Sequence, residues 1–264
     1  MSKSAGEFER IAIEAAYAGG EILRKRFATR DRLTIEVKAR HDYVTEVDRE
    51  AEAAVVSVLR RLTPDCAILA EEGSQGVGAT AHRWIVDPLD GTTNFIHGVP
   101  AFAVSIGLED ETGLVAGCVL DPCRDETFHA HRGGGAFLNG ARIACTPLDQ
   151  LDAALIATGF PFREMTRLPA YLAAFERFVR QTSGLRRAGS AALDLVYTAC
   201  GRYDGFFEVG LHPWDLAGGA LIVMEAGGIV TDVHGGRNFL ENGSVVAAGS
   251  RLHAAMLAIT SEKL

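Results

Sequence analysis

Two carboxylates stand three residues apart in segment 84–95, directly before a glycine and two threonines. Asp87 follows the short apolar run WIV, a pattern typical of a buried strand that Pro88 would end. Asp90 precedes Gly91 at the position of a helix N-cap, where unpaired backbone N–H groups favour an anion. Like charges this close together raise the pKa of the carboxylates. Divalent cations between the two carboxylates and a bound anion would remove that repulsion.

Residues 87–91 alone fit an ordinary Asx-turn with a glycine in a strained position equally well. The longer run DPLDGTTNFIHGVP, residues 87–100, favours a site. It closely resembles the first signature of the inositol monophosphatase family, whose members are Mg²⁺-dependent phosphomonoesterases inhibited by lithium.

Two more acidic residues precede this run. Glu71 follows the apolar segment 67–70, which predicts a buried strand, and the ends of this strand and the next would bring Glu71 near Asp87. Asp48 stands three residues after Thr45, at the spacing of a capping box that opens an amphipathic helix. Capping alone explains that pair, so a catalytic role for Asp48 depends on its similarity to the family pattern D-x-V-T-x-x-D.

The second half of the chain repeats the arrangement of an acid after a strand. Asp215 begins an apolar helix, and we expect it to be the N-cap. The run WDLAGGALIVMEAGG, residues 214–228, resembles the second signature of the family. Ser190 is the expected N-cap of an earlier helix, and Glu208 is a single acid within an apolar strand.

The resemblance to the inositol monophosphatase family extends over residues 38–228. It is closest to the bacterial branch, through GFPF at 159–162 and LRRAGSAALDL at 185–195. It implies an α/β fold, a five-layered αβαβα sandwich with the site between its two halves, and a homodimer. It also implies two or three Mg²⁺ ions, which Mn²⁺ could replace. The oxygen ligands implied, which suit such hard cations, are Glu71, Asp87, the Leu89 carbonyl, Asp90 and Asp215.

The same resemblance implies catalytic and substrate-binding roles. Glu71 and Thr92, together with Asp48, would orient or deprotonate an attacking water, so hydrolysis would be direct and need no phosphoenzyme. Glu208 would select a polyol by binding its hydroxyl groups. The substrate-binding residues implied are Asp90, Gly91, Thr92, Gly189, Ser190, Ala191 and Glu208.

Segment 145–148 is the expected boundary between two subdomains, 1–146 and 147–264. The first contains two amphipathic helices packed on an antiparallel sheet, and the second alternates strands and helices in a βαβ manner. In the second, a helix is predicted over 168–179, with Leu168, Leu172, Phe175 and Val179 on its apolar face.

Two glycine-containing segments need a separate interpretation. Residues 74–81 form a polar loop near the expected site, too irregular for a dinucleotide fingerprint. Gly133, Gly134 and Gly135 predict a hairpin turn rather than a phosphate site, because no helix follows them. Glu225, at the end of the last predicted helix, is expected to lie outside the ligand set.

Composition excludes several other classes of protein. The chain has 264 residues, of which 48% are hydrophobic, enough for one large domain or two closely packed ones. Its net charge of −8 argues against a general nucleic-acid-binding surface. No stretch approaches the roughly 20 apolar residues of a membrane span, so we expect a cytoplasmic protein. The five cysteines have no zinc-site spacing and are expected to be free thiols.

Our first hypothesis is the hydrolysis of inositol monophosphate and related sugar or polyol phosphates. Histidinol-phosphate phosphatase and fructose-1,6-bisphosphatase are alternatives that use the same metal centre. An alternative of another class is a regulatory protein that binds RNA or the transcription machinery and has incidental phosphatase activity. The pI of about 5.5 argues against autonomous RNA binding. We therefore assign the basic pair Arg186 and Arg187 to a dimer interface.

Overall fold

The computed structural model describes residues 3–29, 35–39, 42–73, 81–162 and 164–264. Residues 74–80 of the polar loop lie outside these ranges. The helices are α1 (Ala5–Phe27), α2 (Glu46–Leu62), α3 (Thr92–His97), α4 (Leu168–Gln181), α5 (Ala191–Ala199), α6 (Pro213–Glu225), α7 (Phe239–Asn242) and α8 (His253–Lys263). The strands are β1 (Ile35–Ala39), β2 (Asp42–Thr45), β3 (Ala67–Ala70), β4 (His82–Asp90), β5 (Ala103–Asp110), β6 (Gly113–Asp121), β7 (Glu126–His131), β8 (Gly135–Leu138), β9 (Ala141–Ile143), β10 (Leu155–Thr158), β11 (Gly184–Arg186), β12 (Gly205–Val209), β13 (Gly228–Thr231) and β14 (Ser244–Gly249).

The strands form two large mixed sheets and one small hairpin. The first sheet has the order β3-β4-β5-β6-β7-β8-β9, and the second has the order β11-β10-β12-β14-β13. In the first sheet β3 and β4 are parallel, and the other neighbours are antiparallel. The sequence predicted an antiparallel sheet, and the parallel pairing of β3 with β4 corrects that prediction. This parallel pair brings the ends of β3 and β4 to the same edge.

Three hydrophobic cores separate five layers. The first lies between α1, α2 and one face of the first sheet, and the middle one holds α5 and α6 between the two sheets. The third lies between the second sheet and helices α4 and α8. Adjacent strand residues point to opposite faces, so Trp84 and Ile85 lie in the first and middle cores, and Phe206 and Phe207 in the middle and third. This order confirms the αβαβα sandwich. The subdomain division at residue 146 stays a prediction.

Helix α4 is present where it was predicted, but only part of its predicted apolar face is correct: Leu168 and Phe175 pack against the third core. Leu172 and Val179 are exposed, whereas Tyr171 and Phe178 are fully buried. The ring of Phe178 stacks on that of Phe207 with centroids 4.3 Å apart, and the Tyr171 ring lies 6.0 Å from the same partner. Burial of the two larger aromatic rings against the sheet therefore fixes the rotation of the helix.

The glycine turn between β7 and β8 is the predicted hairpin. The N–H groups of Gly133 and Gly135 donate hydrogen bonds of 2.8 and 2.9 Å to the two carboxylate oxygens of Glu225. The anion bound by this turn is thus the Glu225 carboxylate at the end of α6. This position agrees with the expectation that Glu225 lies outside the ligand set.

All five cysteines are free thiols. Among the described residues, no helix combines the length and apolarity that crossing a membrane requires.

Helix α6 packs on the first sheet through glycines. A methyl group on Gly107 would lie 2.6 Å from the Cβ of Ala217, and one on Gly117 would lie 2.7 Å from the Gly218 carbonyl oxygen. Neither position can accept a side chain unless the helix and the sheet move apart.

We expect Gly117→Ala to lower the free energy of unfolding by about 1–3 kcal/mol, because the added methyl overpacks a contact between two backbones. Urea denaturation monitored by circular dichroism would measure the loss. Gly6→Ala is the control, since its methyl would meet no atom closer than 3.7 Å and alanine favours the helix. Equal stability of Gly117→Ala and the native chain would contradict the close packing.

Candidate active site

A cavity of about 410 Å³ contains the predicted site, and its volume is in the range of small-molecule pockets. Every residue implied by the sequence, except Asp48, lines it. Residues 71–97 supply one wall and residues 159–215 supply the other. The cavity is therefore formed by both halves of the chain. The implied residues on its walls are Glu71, Asp87, Leu89, Asp90, Gly91, Thr92, Gly189, Ser190, Ala191, Glu208 and Asp215.

The end of β4 differs from the predicted elbow. The strand continues through Pro88 to Asp90, and its pairing with β5 shifts register between Asp87 and Asp90. In a regular strand residues three apart point to opposite faces, so this irregularity is what brings the two carboxylates together. Asp90 is thus not an N-cap. That position belongs to Gly91, whose φ of 94° favours glycine and which has no side chain to cap the helix.

Three buried carboxylates form a compact cluster in the cavity. Asp87, Asp90 and Asp215 are 1%, 8% and 5% exposed, and each offers an oxygen within 4.8 Å of the others. Asp215 is the third residue of α6, so its predicted N-cap position is wrong. The helix begins one turn earlier because Pro213 occupies its first position, and Asp215 instead accepts a 2.7 Å hydrogen bond from the His212 N–H.

The electrostatics of the cluster favour a bound cation. Burial, and then the charges of Glu71, Asp90 and Asp215, raise the pKa of Asp87 well above its ordinary value. Burial and the charge of Asp215 raise the pKa of Asp90 to about 7. Divalent cations would counter both burial and like charge, because they would replace the lost hydration of the carboxylates and offset the repulsion between them. The set of hard oxygen donors therefore fits Mg²⁺.

Asp90 joins the two halves of the cavity. Its Oδ2 accepts hydrogen bonds of 2.6 Å from the Ser190 hydroxyl and 2.7 Å from the Ala192 N–H. Ser190 is also the predicted N-cap of α5, since its Oγ accepts from the Leu193 N–H. Asn94, which the sequence did not single out, adds a second connection by donating to the Ala188 carbonyl at 2.8 Å.

Asp48 lies behind the cavity wall and contacts both Thr45 and Thr92. Its Oδ2 accepts from the N–H and hydroxyl of Thr45, at 2.8 and 2.6 Å, which confirms the capping box. Its Oδ1 lies 3.0 Å from the hydroxyl of Thr92, which also lies 3.1 Å from the Leu89 carbonyl oxygen. Burial raises the pKa of Asp48, and hydrogen bonds from Thr45 and Thr92 oppose this effect.

Glu71 stands beside Asp87 because β3 and β4 are parallel and in register. Ala70 pairs with Val86, so the next residue of each strand lies at the same edge of the sheet. The Glu71 N–H donates to the Val86 carbonyl at 3.2 Å. This pairing confirms the expectation that neighbouring strand ends bring these acids together.

The opposite wall contains residues that sequence reasoning missed or placed elsewhere. The Arg187 guanidinium lies 5.7 Å from the Phe160 ring centroid and 5.3 Å from that of Phe162, at the cavity rather than only at an outer surface. The GFPF motif that carries these rings was the available signal. Gly159 is required there, because a Cβ would fall on the Glu208 carboxylate.

Asp194 is a second missed residue. It is almost fully buried on α5, and none of the described residues donates a hydrogen bond to its Oδ1. Burial, followed by the charges of Glu208 and Asp90, raises its pKa well above the ordinary value. This environment favours the protonated form of the Asp194 carboxyl group.

Comparison with known proteins agrees with this geometry. Residues 5–264 match the model of the inositol monophosphatase family. A Pseudomonas aeruginosa protein named Nus factor SuhB is 49% identical over 252 residues, covering 94% of this chain and 93% of its own length. The protein of the same name from Escherichia coli K12 is 43% identical, and 96% of each chain is covered.

Solved structures extend the likeness to the fold. Extragenic suppressor protein SuhB from Bartonella henselae has a TM-score of 0.93 and 39% identity, with 97% of this chain and 98% of that chain covered. Inositol monophosphatase from Anabaena has a TM-score of 0.87 and 35% identity, with 98% and 97% covered. On the strength of this nearly complete match in sequence and fold, the chain belongs to the inositol monophosphatase family.

Proposed function

We propose that the protein is a Mg²⁺-dependent phosphatase that hydrolyses inositol monophosphate and related sugar or polyol phosphates to the free alcohol and phosphate. The observation that carries the proposal is the buried cluster of Asp87, Asp90 and Asp215 in one cavity with Glu208. Cations in the cluster, a phosphate beside it and a polyol against Glu208 would account for all four acids.

Two or three Mg²⁺ ions, or Mn²⁺ in their place, suit the oxygen donors present. Glu71, Asp87 and the Leu89 carbonyl would hold one ion, while Asp87, Asp90 and Asp215 would hold another. When bound, such ions supply an acidified water and stabilise the leaving alkoxide.

The residues around this centre would position the attacking water. Thr92 can donate a hydrogen bond from its hydroxyl to Asp48, 3.0 Å away, which leaves the threonine oxygen to accept a hydrogen bond from the attacking water. Glu71, on the neighbouring strand end, would take one proton from that water or orient it. The reaction would then be direct hydrolysis, because Asp87 is committed as a metal ligand and cannot act as a nucleophile.

Backbone and side-chain groups would hold the substrate on either side. The first N–H groups of α3, from Thr92 onwards, lack intrahelical acceptors and line the cavity with Gly91, so they can bind phosphate oxygens. Gly189, Ser190, Ala191 and Glu208 form the alcohol side. Hydrogen bonds donated by adjacent hydroxyls to the Glu208 carboxylate would suit a polyol.

A substrate panel tests this proposal. We expect phosphate release from inositol 1-phosphate to require Mg²⁺, to fall with added lithium and to exceed release from histidinol phosphate and fructose 1,6-bisphosphate in kcat/KM. An advantage of histidinol phosphate by orders of magnitude would overturn the choice of substrate. No release from any panel member by folded, Mg²⁺-saturated protein would overturn the enzymatic function.

A second candidate function is regulation through RNA or the transcription machinery. It is supported by the relatives named Nus factor SuhB.

We also propose that the protein is a homodimer and that the exposed Arg186 contributes to the interface between the two copies. Each copy would have two subdomains, divided at residue 146. Arg186→Glu, which lies outside the cavity wall, separates these roles: loss of the dimer in sedimentation supports the interface, while an intact dimer with lost RNA affinity supports regulation.

A further inference from the structure

One face of α2 reaches both residues proposed to handle the attacking water. Asp48 and Glu52 lie one helical turn apart and are 1% and 4% exposed. Asp48 contacts the hydroxyl of Thr92. Glu52 accepts a 2.7 Å hydrogen bond from the N–H of Glu72, the residue directly after Glu71.

Glu52 supplies the side-chain anchor of the turn that follows β3. The N–H groups of three consecutive residues are held there: Glu71 donates to β4 at 3.2 Å, Glu72 to Glu52 at 2.7 Å, and Gly73 to Ala70 at 3.4 Å. The bond to Glu52 is the shortest of the three and is assisted by charge, whereas the bond from Gly73 is long and weak. The peptide between Glu71 and Glu72 is therefore tied to α2 through Glu52.

Neither capping nor the helix dipole explains an acid at this buried position. Thr45 and Asp48 already form the capping box of α2, and Glu52 lies beyond the first turn, where the dipole no longer favours negative charge. Burying a carboxylate costs free energy unless its oxygens are hydrogen-bonded. The hydrogen bond to the Glu72 N–H meets that requirement and connects α2 to the end of β3.

We infer that Glu52 is a positioning residue: by fixing the peptide after Glu71, it holds the Glu71 carboxylate beside Asp87. The inference rests on the proposed function of Glu71 as metal ligand and water activator. With Asp48 holding Thr92, α2 then sets the relative position of both groups that handle the water.

The test compares three variants of the full chain. Glu52→Ala removes the acceptor, Glu52→Gln keeps an oxygen in nearly the same place, and Glu50→Ala changes an exposed acid on the same helix. Mn²⁺ binding without substrate, followed by electron paramagnetic resonance, gives a readout independent of turnover. Steady-state kinetics with inositol 1-phosphate and thermal unfolding complete the comparison.

We expect Glu52→Ala to weaken Mn²⁺ binding and to lower kcat by about 10- to 100-fold, as found for outer-shell partners of metal ligands. KM should change little, because the substrate-binding wall is untouched. Glu52→Gln should restore most of both quantities, and Glu50→Ala should match the native chain. If Glu52→Ala does not fold, Glu52→Met replaces it, since methionine fills the volume without an oxygen acceptor.

Two results would overturn the positioning role while leaving the proposed function intact. One is native Mn²⁺ affinity and kcat in Glu52→Ala. The other is an equal loss in Glu52→Gln and Glu52→Ala at unchanged thermal stability, because charge rather than the hydrogen bond would then matter. Absence of Mn²⁺ binding by the native chain would instead overturn the proposed metal centre, and this inference with it.

Discussion

Replacing Asp90 with asparagine is expected to lower Mg²⁺-dependent phosphate release by about 10³-fold or more. The substitution removes a charged oxygen from the cluster with Asp87 and Asp215, and metal stabilisation of the transition state is worth several kcal/mol. The loss should appear in kcat at saturating Mg²⁺, with weaker Mn²⁺ binding in the absence of substrate.

The same substitution should leave the fold intact. The oxygen of Asp90 that accepts from Ser190 and Ala192 can be replaced by the amide oxygen of asparagine, so the connection between the halves is kept. Asp90→Ala would lose both the charged oxygen of the cluster and the acceptor for Ser190 and Ala192. Its stability is therefore compared with that of Asp90→Asn. Asp125→Asn, an exposed aspartate at φ 56°, where asparagine is tolerated, is the control for activity. Native turnover by Asp90→Asn at saturating Mg²⁺ would exclude a catalytic cluster at this position.

The site was predictable from sequence where its residues share one short segment or follow a strand end. Asp87, Asp90 and Gly91 lie in one signature, and Glu71 is placed beside them by the parallel pairing of adjacent strands. The local backbone was harder to predict. The register shift of β4 depends on pairing with β5, a partner that the spacing of the two aspartates does not reveal.

The parts of the site that were missed depend on tertiary contacts. Glu52 and Asp194 have the pattern of ordinary helical acids, and their burial becomes apparent only when α2 and α5 are packed. Arg187 was assigned with Arg186 to a dimer interface, and the sequence did not show that it lies over Phe160 and Phe162 at the cavity. Likewise, Leu172 and Val179 satisfy helical periodicity, but the aromatic contacts of Tyr171 and Phe178 determine which face of α4 is buried.

Stability in the absence of divalent cations should fall as pH rises from about 5 to 8. Burial and Asp215 raise the pKa of Asp90 from 3.8 to about 7, so between these values the folded state keeps a proton that the unfolded state has released. Ionising the buried group therefore costs folding free energy, on the order of 3 kcal/mol for the roughly two pKa units between pH 5 and the folded pKa. Burial also raises the pKa of Asp87, so its ionisation changes stability with the same sign.

Thermal unfolding in EDTA and in Mg²⁺, measured at each pH, isolates this effect. His253, whose pKa is lowered by burial, acts in the opposite direction below about pH 6.5, but it contributes equally with and without Mg²⁺. The rise in Tm on adding Mg²⁺ should hence be small at pH 5 and large at pH 8. Asp90→Asn should reduce that dependence because asparagine does not titrate, while Asp125→Asn should retain it. An equal Mg²⁺ effect at both pH values would mean that the three carboxylates are not the groups whose repulsion the cation relieves, and the metal centre would have to be sought elsewhere in the chain.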